Sequence, residues 1–127
     1  MRVWHISFRG ERQRKVGNAA RLEPVMIECS ERLMEKHPSV QRARAIGLFG
    51  CLDLCTPDGR YIQPLSGPEH PALASFKKAR LDEGVYGLLR APYLHTAPPL
   101  VITEEELRDG FDRVDRALDT LDRELGF

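Results

Sequence analysis

The chain has 127 residues, and its 19 lysines and arginines balance 19 aspartates and glutamates, so the formal net charge is zero. This balance argues against a nucleic-acid-binding domain, which usually carries a strong basic excess. No apolar run approaches the length of a membrane span, so we expect neither a nucleic-acid partner nor a membrane partner.

Residues 1–16 differ in pattern from the rest of the chain, which has the length of one domain. The beginning, MRVWHIS, is strand-like, but polar residues interrupt the apolar core that a secretory signal peptide needs, so we expect a cytoplasmic location. The next segment, FRGERQRK, is basic, and a basic tract can contact nucleic acid or a membrane. Because the remaining chain is neutral, we favour a solvated and mobile N-terminal arm.

The first helix is expected from Gly17 to Lys36. Its apolar residues recur at steps of three and four, which predicts one buried stripe along the helix. The members of this stripe are Leu22, Val25, Met26, Cys29, Leu33 and Met34. Pro38 ends the helix, because the residue before a proline is disfavoured in helical geometry.

The segment from Ile46 to Leu54 predicts the first strand, with Phe49, Cys51 and Asp53 on the face opposite its leucines. On a continuous strand Cys51 and Cys55 would lie about 13 Å apart, from a rise of about 3.3 Å per residue. That separation is too large for one zinc ion or one disulfide. We therefore expect buried structural thiols and no metal site.

Turn and helix signals organise the remaining chain. Pro71 fits the first position of a helix, and Gly84 is a natural stop for it. Two further strands are expected at Val85–Leu89 and Tyr93–Ala97, joined by a tight connection. The order of elements predicts an α+β fold, in which helices pack on one face of a small, mostly antiparallel sheet of about three strands.

The last helix has the clearest local signals in the chain. Thr103 and Glu106 form a capping box, in which each side chain can accept a hydrogen bond from the other residue's backbone amide. Ile102 and Leu107 are placed for a hydrophobic staple across this cap. The apolar stripe that follows consists of Leu107, Phe111, Val114, Leu118, Leu121 and Leu125. Aspartate–arginine pairs four residues apart, at 109/113, 112/116 and 119/123, are expected on the solvent side.

Three segments together resemble the class III pyridoxal-phosphate-dependent aminotransferases. The string PPLVITEEELRDGF, from Pro98 to Phe111, is similar to their C-terminal end. RAIGLFGCLDL, from Arg44 to Leu54, is similar to their Arg-Gly-X-Gly-Leu strand, with Ala45 in place of the first glycine. EGVYGLLR, from Glu83 to Arg90, is similar to the strand after the next helix.

The resemblance covers residues 17–127 and implies the C-terminal small domain of a fold-type I pyridoxal-phosphate enzyme. Residues 1–16 have no counterpart in it. The resemblance is strongest to the branch that transfers amino groups from taurine and other ω-amino acids to pyruvate. In the family, the small domain closes over an active site whose lysine, acidic partner and phosphate donors belong to the large domain.

The resemblance implies no catalytic and no cofactor-binding residue in this chain. Its lysines are Lys15, Lys36, Lys77 and Lys78. We expect them to be solvated surface residues, since none is placed for desolvation. We therefore expect no pyridoxal phosphate bound to this chain alone, although the family uses that cofactor.

One substrate-binding residue can be carried over from the family. Arg90 corresponds to an arginine that binds the substrate carboxylate or sulfonate through paired hydrogen bonds. The alternative is an arginine at a hairpin end with its head group in water. Arg44 is interpreted as structural, and His37, His70 and His95 as capping or surface residues without acidic partners.

The resemblance also implies partners. The expected ones are a second copy of the chain, in a homodimer, and a large aminotransferase domain supplied elsewhere. Separation from a large domain would leave apolar surface uncovered, and the candidates are Leu22, Met26, Cys29 and Leu33 of the first helix, with Leu73 and Phe76. The alternative function is an independent α+β interaction module without enzymatic activity.

Overall fold

The computed structural model describes residues 9–62, 68–85 and 89–127. Its helices are α1 (Arg9–Lys36), α2 (Pro71–Asp82) and α3 (Glu104–Leu125). Its strands are β1 (Val40–Ile46), β2 (Phe49–Leu54), β3 (Leu89–Arg90) and β4 (Tyr93–Thr96). The α+β class is as predicted, with four strands in place of about three.

The four strands form one antiparallel sheet in the order β1-β2-β4-β3. The predicted strand at Ile46–Leu54 is wrong at its beginning, because the chain reverses at Gly47 and Leu48 to form a β1–β2 hairpin. Gly47 has a φ of 56°, a left-handed conformation that glycine adopts readily. Leu48 is buried in this turn, so the alternation of apolar residues continues through it. The sequence pattern therefore does not show where β1 ends and β2 begins.

Helix α1 begins at Arg9, eight residues before the predicted start, so the basic residues 9–16 belong to a helix. The predicted boundary after residue 16 therefore does not separate two elements. Residues 1–8 lie outside the described residues, and a mobile arm stays a prediction. Met34 is 37% exposed and does not belong to the buried stripe, whereas Ser30 is buried.

One hydrophobic core lies between the helices and one face of the sheet. The α3 stripe is buried as predicted from Leu107 to Leu121, and Leu125 packs partly buried at its end. The capping box of Thr103 and Glu106 is formed. In α2, Pro71 occupies the first turn, and His70 accepts a hydrogen bond from the backbone amide of Ala72.

The predicted self-association surface is wrong. Its residues on α1 and α2 are buried in the chain's own core, and they are Leu22, Met26, Cys29, Leu33, Leu73 and Phe76. Any dimer must therefore use other residues.

The predicted charge pairs on α3 are only partly present. Arg113 binds Asp109 at 2.9 Å as expected. Arg116 instead binds Glu83, at the end of α2, at 2.9 Å. Asp119 is exposed as predicted, and its carboxylate lies 3.8 Å from His37 Nδ1. Within the three described ranges, no helix is long and apolar enough to cross a membrane.

Candidate functional site

The sheet has a second face, turned away from the core, that carries the polar residues of the strands. Leu52 and Leu94 are opposite each other and lie in the core, so their alternate neighbours point to the other face. Strand pairing places these neighbours in two adjacent rows. The members of this polar face are Arg42, Arg44, Cys51, Asp53, Arg90, Tyr93 and His95.

Arg90, the predicted substrate-binding residue, lies at the end of β3 opposite Tyr93. The turn that follows it contains a cis peptide bond between Ala91 and Pro92. The arginine is exposed, and no carboxylate from the described residues pairs with it. Its head group is thus accessible to an anion from solution, as both interpretations of this residue require. Its role in binding substrate stays a prediction.

Arg44 and Asp53 form an ion pair across β1 and β2 on the same face. Asp53 is 2% exposed, and the Arg44 guanidinium donates to its Oδ1 at 2.5 Å. The hydrogen bond with Asp53 raises the pKa of Arg44. A buried carboxylate needs such a partner, because an uncompensated charge in the interior is strongly destabilising. The contact agrees with the structural role predicted for Arg44.

The three cysteines are buried, as predicted for Cys51 and Cys55. Burial is the main cause that raises the pKa of each thiol, including Cys29. Reactive cysteines are thiolates in electropositive, partly exposed surroundings. These groups therefore do not fit the role of a nucleophile.

The contacts of three lysines indicate whether these residues could attach pyridoxal phosphate covalently. Lys36 binds Asp115 at 2.8 Å, Lys77 binds Glu69 at 2.7 Å, and Lys78 binds Asp82 at 2.8 Å. Hydrogen bonds to these aspartates raise the pKa of Lys36 and Lys78. A lysine that attaches the cofactor must give up its proton, and the contacts of Lys36 and Lys78 favour the protonated form. Lys36 and Lys78 therefore do not fit that role.

The expectation of a capping or surface role is wrong for His37. This side chain is 1% exposed, and both of its ring nitrogens lie 2.6 Å from aspartate oxygens of α3. Nδ1 faces Asp122 and Nε2 faces Asp115. The sequence carried a signal, since Asp115, Asp119 and Asp122 share one helix face at steps of four and three. The pairing itself spans 78 and 85 residues and could not be inferred from spacing.

Asp115 also has an altered titration. Partial burial alone would raise the pKa of its carboxyl, but hydrogen bonds and charges from Lys36 and His37 outweigh burial, so the pKa is lowered. His70 does cap a helix, as predicted. His95 lies half-buried on the polar face, with its ring 5.8 Å from that of Phe49.

Apolar side chains are exposed at one end of the molecule. Asn18 of α1 donates hydrogen bonds to the carbonyls of Leu100 and Ile102, at 2.8 and 3.0 Å, and so brings the segment before α3 to this end. Glu23 of α1 accepts from the Gly47 amide at 2.7 Å, which brings the hairpin tip there as well. We call the exposed apolar side chains of these neighbouring segments the apolar end. They are Val16, Ile46, Phe49, Leu100 and Val101.

An apolar cavity of about 380 Å³ adjoins the apolar end, between β4 and the start of α3. Its lining includes Phe49, His95, Pro98, Ile102 and Leu107. Its lining is mostly apolar, and few of its side chains could act as an acid, a base or a nucleophile.

The fold matches parts of several solved transaminases. A taurine:2-oxoglutarate aminotransferase from Bifidobacterium kashiwanohense, in complex with PLP and glutamate, matches 90% of this chain with a TM-score of 0.82 and 25% identity. A transaminase from directed evolution by ancestral reconstruction matches 91% with a TM-score of 0.73 and 26% identity. An S-selective transaminase from Arthrobacter sp. shares the fold, with a TM-score of 0.76 and 20% identity over 89% of the chain.

The match covers only a part of each solved transaminase. The chain spans 26% of the taurine:2-oxoglutarate aminotransferase and 25% of the transaminase from ancestral reconstruction. No protein-family model and no curated protein matches the chain. The fold comparison therefore supports a relation to the aminotransferases, and two of the solved structures contain pyridoxal phosphate.

Proposed function

We propose that the chain is the C-terminal small domain of a class III aminotransferase, separated from its large domain and inactive alone. The observation that carries this proposal is the fold match to a quarter of a taurine:2-oxoglutarate aminotransferase, over 90% of the chain at a TM-score of 0.82. The motifs at residues 44–54, 83–90 and 98–111 support the class and the position within it. The contacts of Lys36 and Lys78, which favour protonated side chains, support the proposal that the chain is inactive alone.

The proposed reaction moves an amino group from taurine or another ω-amino acid to a keto acid. Pyridoxal phosphate, held by the large domain, would supply the electron-withdrawing ring that this transfer requires. Arg90 would bind the carboxylate or sulfonate of the substrate, since its planar guanidinium can donate two parallel hydrogen bonds to such an anion. Pyruvate is the proposed acceptor, and 2-oxoglutarate is the second to test, given the name of the solved relative.

The proposed partners are a large aminotransferase domain supplied by another chain and a second copy of this one, in the cytoplasm. The apolar end supports a partner, because large exposed apolar patches usually mark interaction sites. Ile46 is 80% exposed and Val101 70% exposed at this end.

A chimaera tests the proposal. This chain would replace the matching quarter of the taurine:2-oxoglutarate aminotransferase, and transamination would be measured with taurine or β-alanine and each acceptor. We expect the chimaera to be active and Arg90→Ala to lower its kcat/KM, whereas Arg42→Ala, on the same sheet face, leaves it unchanged. If the chimaera folds and binds the cofactor but Arg90→Ala leaves its kcat/KM unchanged, the proposed role of Arg90 is wrong. A chimaera that folds without any activity would count against the proposed function itself.

The second candidate is an independent interaction module without enzymatic activity. The apolar end favours it, since that patch is compatible with any apolar partner. The chimaera also separates the two candidates, because a module unrelated to catalysis would not restore transamination.

A further inference from the structure

The cluster around His37 joins three parts of the fold. His37 lies in the turn between α1 and β1, and the backbone amide of Ser39, in the same turn, donates to Asp122 Oδ1 at 3.2 Å. Asp115, Asp119 and Asp122 project from α3 onto this turn. The next backbone contact links the turn to the sheet, because Cys55, just after β2, donates its amide to the Ser39 carbonyl at 2.8 Å.

The two contacts of the His37 ring set the number of protons in the cluster. Each nitrogen lies 2.6 Å from a carboxylate oxygen, so each contact needs a proton between the two atoms. A neutral imidazole carries a proton on only one nitrogen, and an ionised carboxylate is an acceptor only. The arrangement with all contacts satisfied is therefore an imidazolium between the Asp115 and Asp122 carboxylates.

The charges around His37 indicate how its second ring proton stabilises the position of α3. The groups that face the ring are the three aspartates of α3. Lys36 of α1 pairs with one of them, Asp115, and the Cys55 thiol beyond β2 interacts with another, Asp122. Aspartates four residues apart on one helix face repel each other. Lys36 is exposed, so solvent and salt screen its contribution. His37 is buried, and its charge is screened much less.

We propose that His37 is a proton-dependent clamp that fastens the C-terminal half of α3 to the α1–β1 turn. With the proton bound, each nitrogen donates to one aspartate, and the acidic face of α3 is held against the turn. Loss of the proton leaves a ring lone pair facing a carboxylate inside the protein, which removes one hydrogen bond and adds repulsion. The clamp then loosens. This inference is independent of the proposed aminotransferase function.

The direct test is nitrogen NMR of the whole chain with ¹⁵N-labelled histidine at pH 7. We expect both ring nitrogens of His37 to be protonated, with the signal assigned by its absence in His37→Gln. If that variant does not fold, through-space contacts to α3 protons assign the ring in the wild-type chain. An unprotonated ring nitrogen in His37 would overturn the clamp.

The second test follows the unfolding constant with pH. Because the proposed arrangement holds a proton on both His37 nitrogens, the folded chain should unfold more readily as the pH rises and unfolded chains lose that proton. Asp122→Asn should flatten this dependence, because it removes one of the two carboxylates. Asp109→Asn, on the same helix and paired with Arg113, should not. Parallel pH curves for the wild type and Asp122→Asn would refute the proposal.

Discussion

The assignment of the α3 faces can be tested at Phe111. Its side chain is buried in the hydrophobic core, whereas the adjacent Asp112 is exposed. Replacing a buried phenylalanine with alanine usually costs about 3–5 kcal/mol, because transfer free energy is lost and a cavity remains. We expect Phe111→Ala to fall in that range. Asp112→Ala should stay within about 0.5 kcal/mol, as is usual for surface substitutions.

Urea unfolding followed by circular dichroism measures both free energies of unfolding on the same chain. The slope against denaturant must stay constant for the comparison to hold, since a changed slope reports a changed folded or unfolded state. Phe111→Leu gives a further check, because it keeps most of the apolar volume and should cost less than Phe111→Ala. Equal losses from Phe111→Ala and Asp112→Ala would show that the assigned face is wrong.

Three other predictions concern the cap, the acid side of the stability profile and association. Thr103→Ala should cost about 1 kcal/mol, the usual loss of an N-cap, and a double-mutant cycle with Glu106→Ala should show coupling because the two side chains cap each other's amides. The pKa of the Asp115 carboxyl is lowered in the folded chain, so this carboxylate stabilises the fold. Its contribution to the free energy of unfolding is full above the unfolded pKa of about 3.9 and is lost as the pH falls further. In urea titrations, Asp115→Asn should make the free energy of unfolding less sensitive to acid. Sedimentation at micromolar concentration should detect a weak dimer that Ile46→Glu and Phe49→Glu abolish, whereas a monomer at high micromolar concentration would count against the apolar end as its interface.

Local signals predicted the parts of the fold that local interactions decide. The cap at Thr103 and the stripe from Leu107 involve residues a few positions apart, and both appear in the structure as expected. The hairpin at Gly47 was missed because β1 alternates arginine with alanine, and alanine gives a weak apolar signal. The early start of α1 was missed because a basic tract favours neither a helix nor a coil by its charge alone.

The candidate site divides in the same way. A family motif placed Arg90, and the structure puts it at a strand end on the polar face. Strand parity predicted that Asp53 lies on the face opposite the leucines, and the strand pairing confirms this. The pairing of His37 with Asp115 and Asp122 depends on how α3 packs across the α1–β1 turn. No pattern within either segment contains that information, so only the tertiary structure reveals it.

The buried stripes bear on whether this fold is stable without contacts from a further domain. Leu22 of α1 and Phe76 of α2 are fully buried within this chain, so its core does not depend on another domain for cover. We therefore expect cooperative unfolding of the isolated chain, as small single domains usually show. The exposed groups include the apolar end and Arg90, for which we propose a partner and an anion, and neither belongs to the core. Stability and activity should thus separate, because the core is complete within these residues while the proposed reaction needs groups that the described residues do not contain.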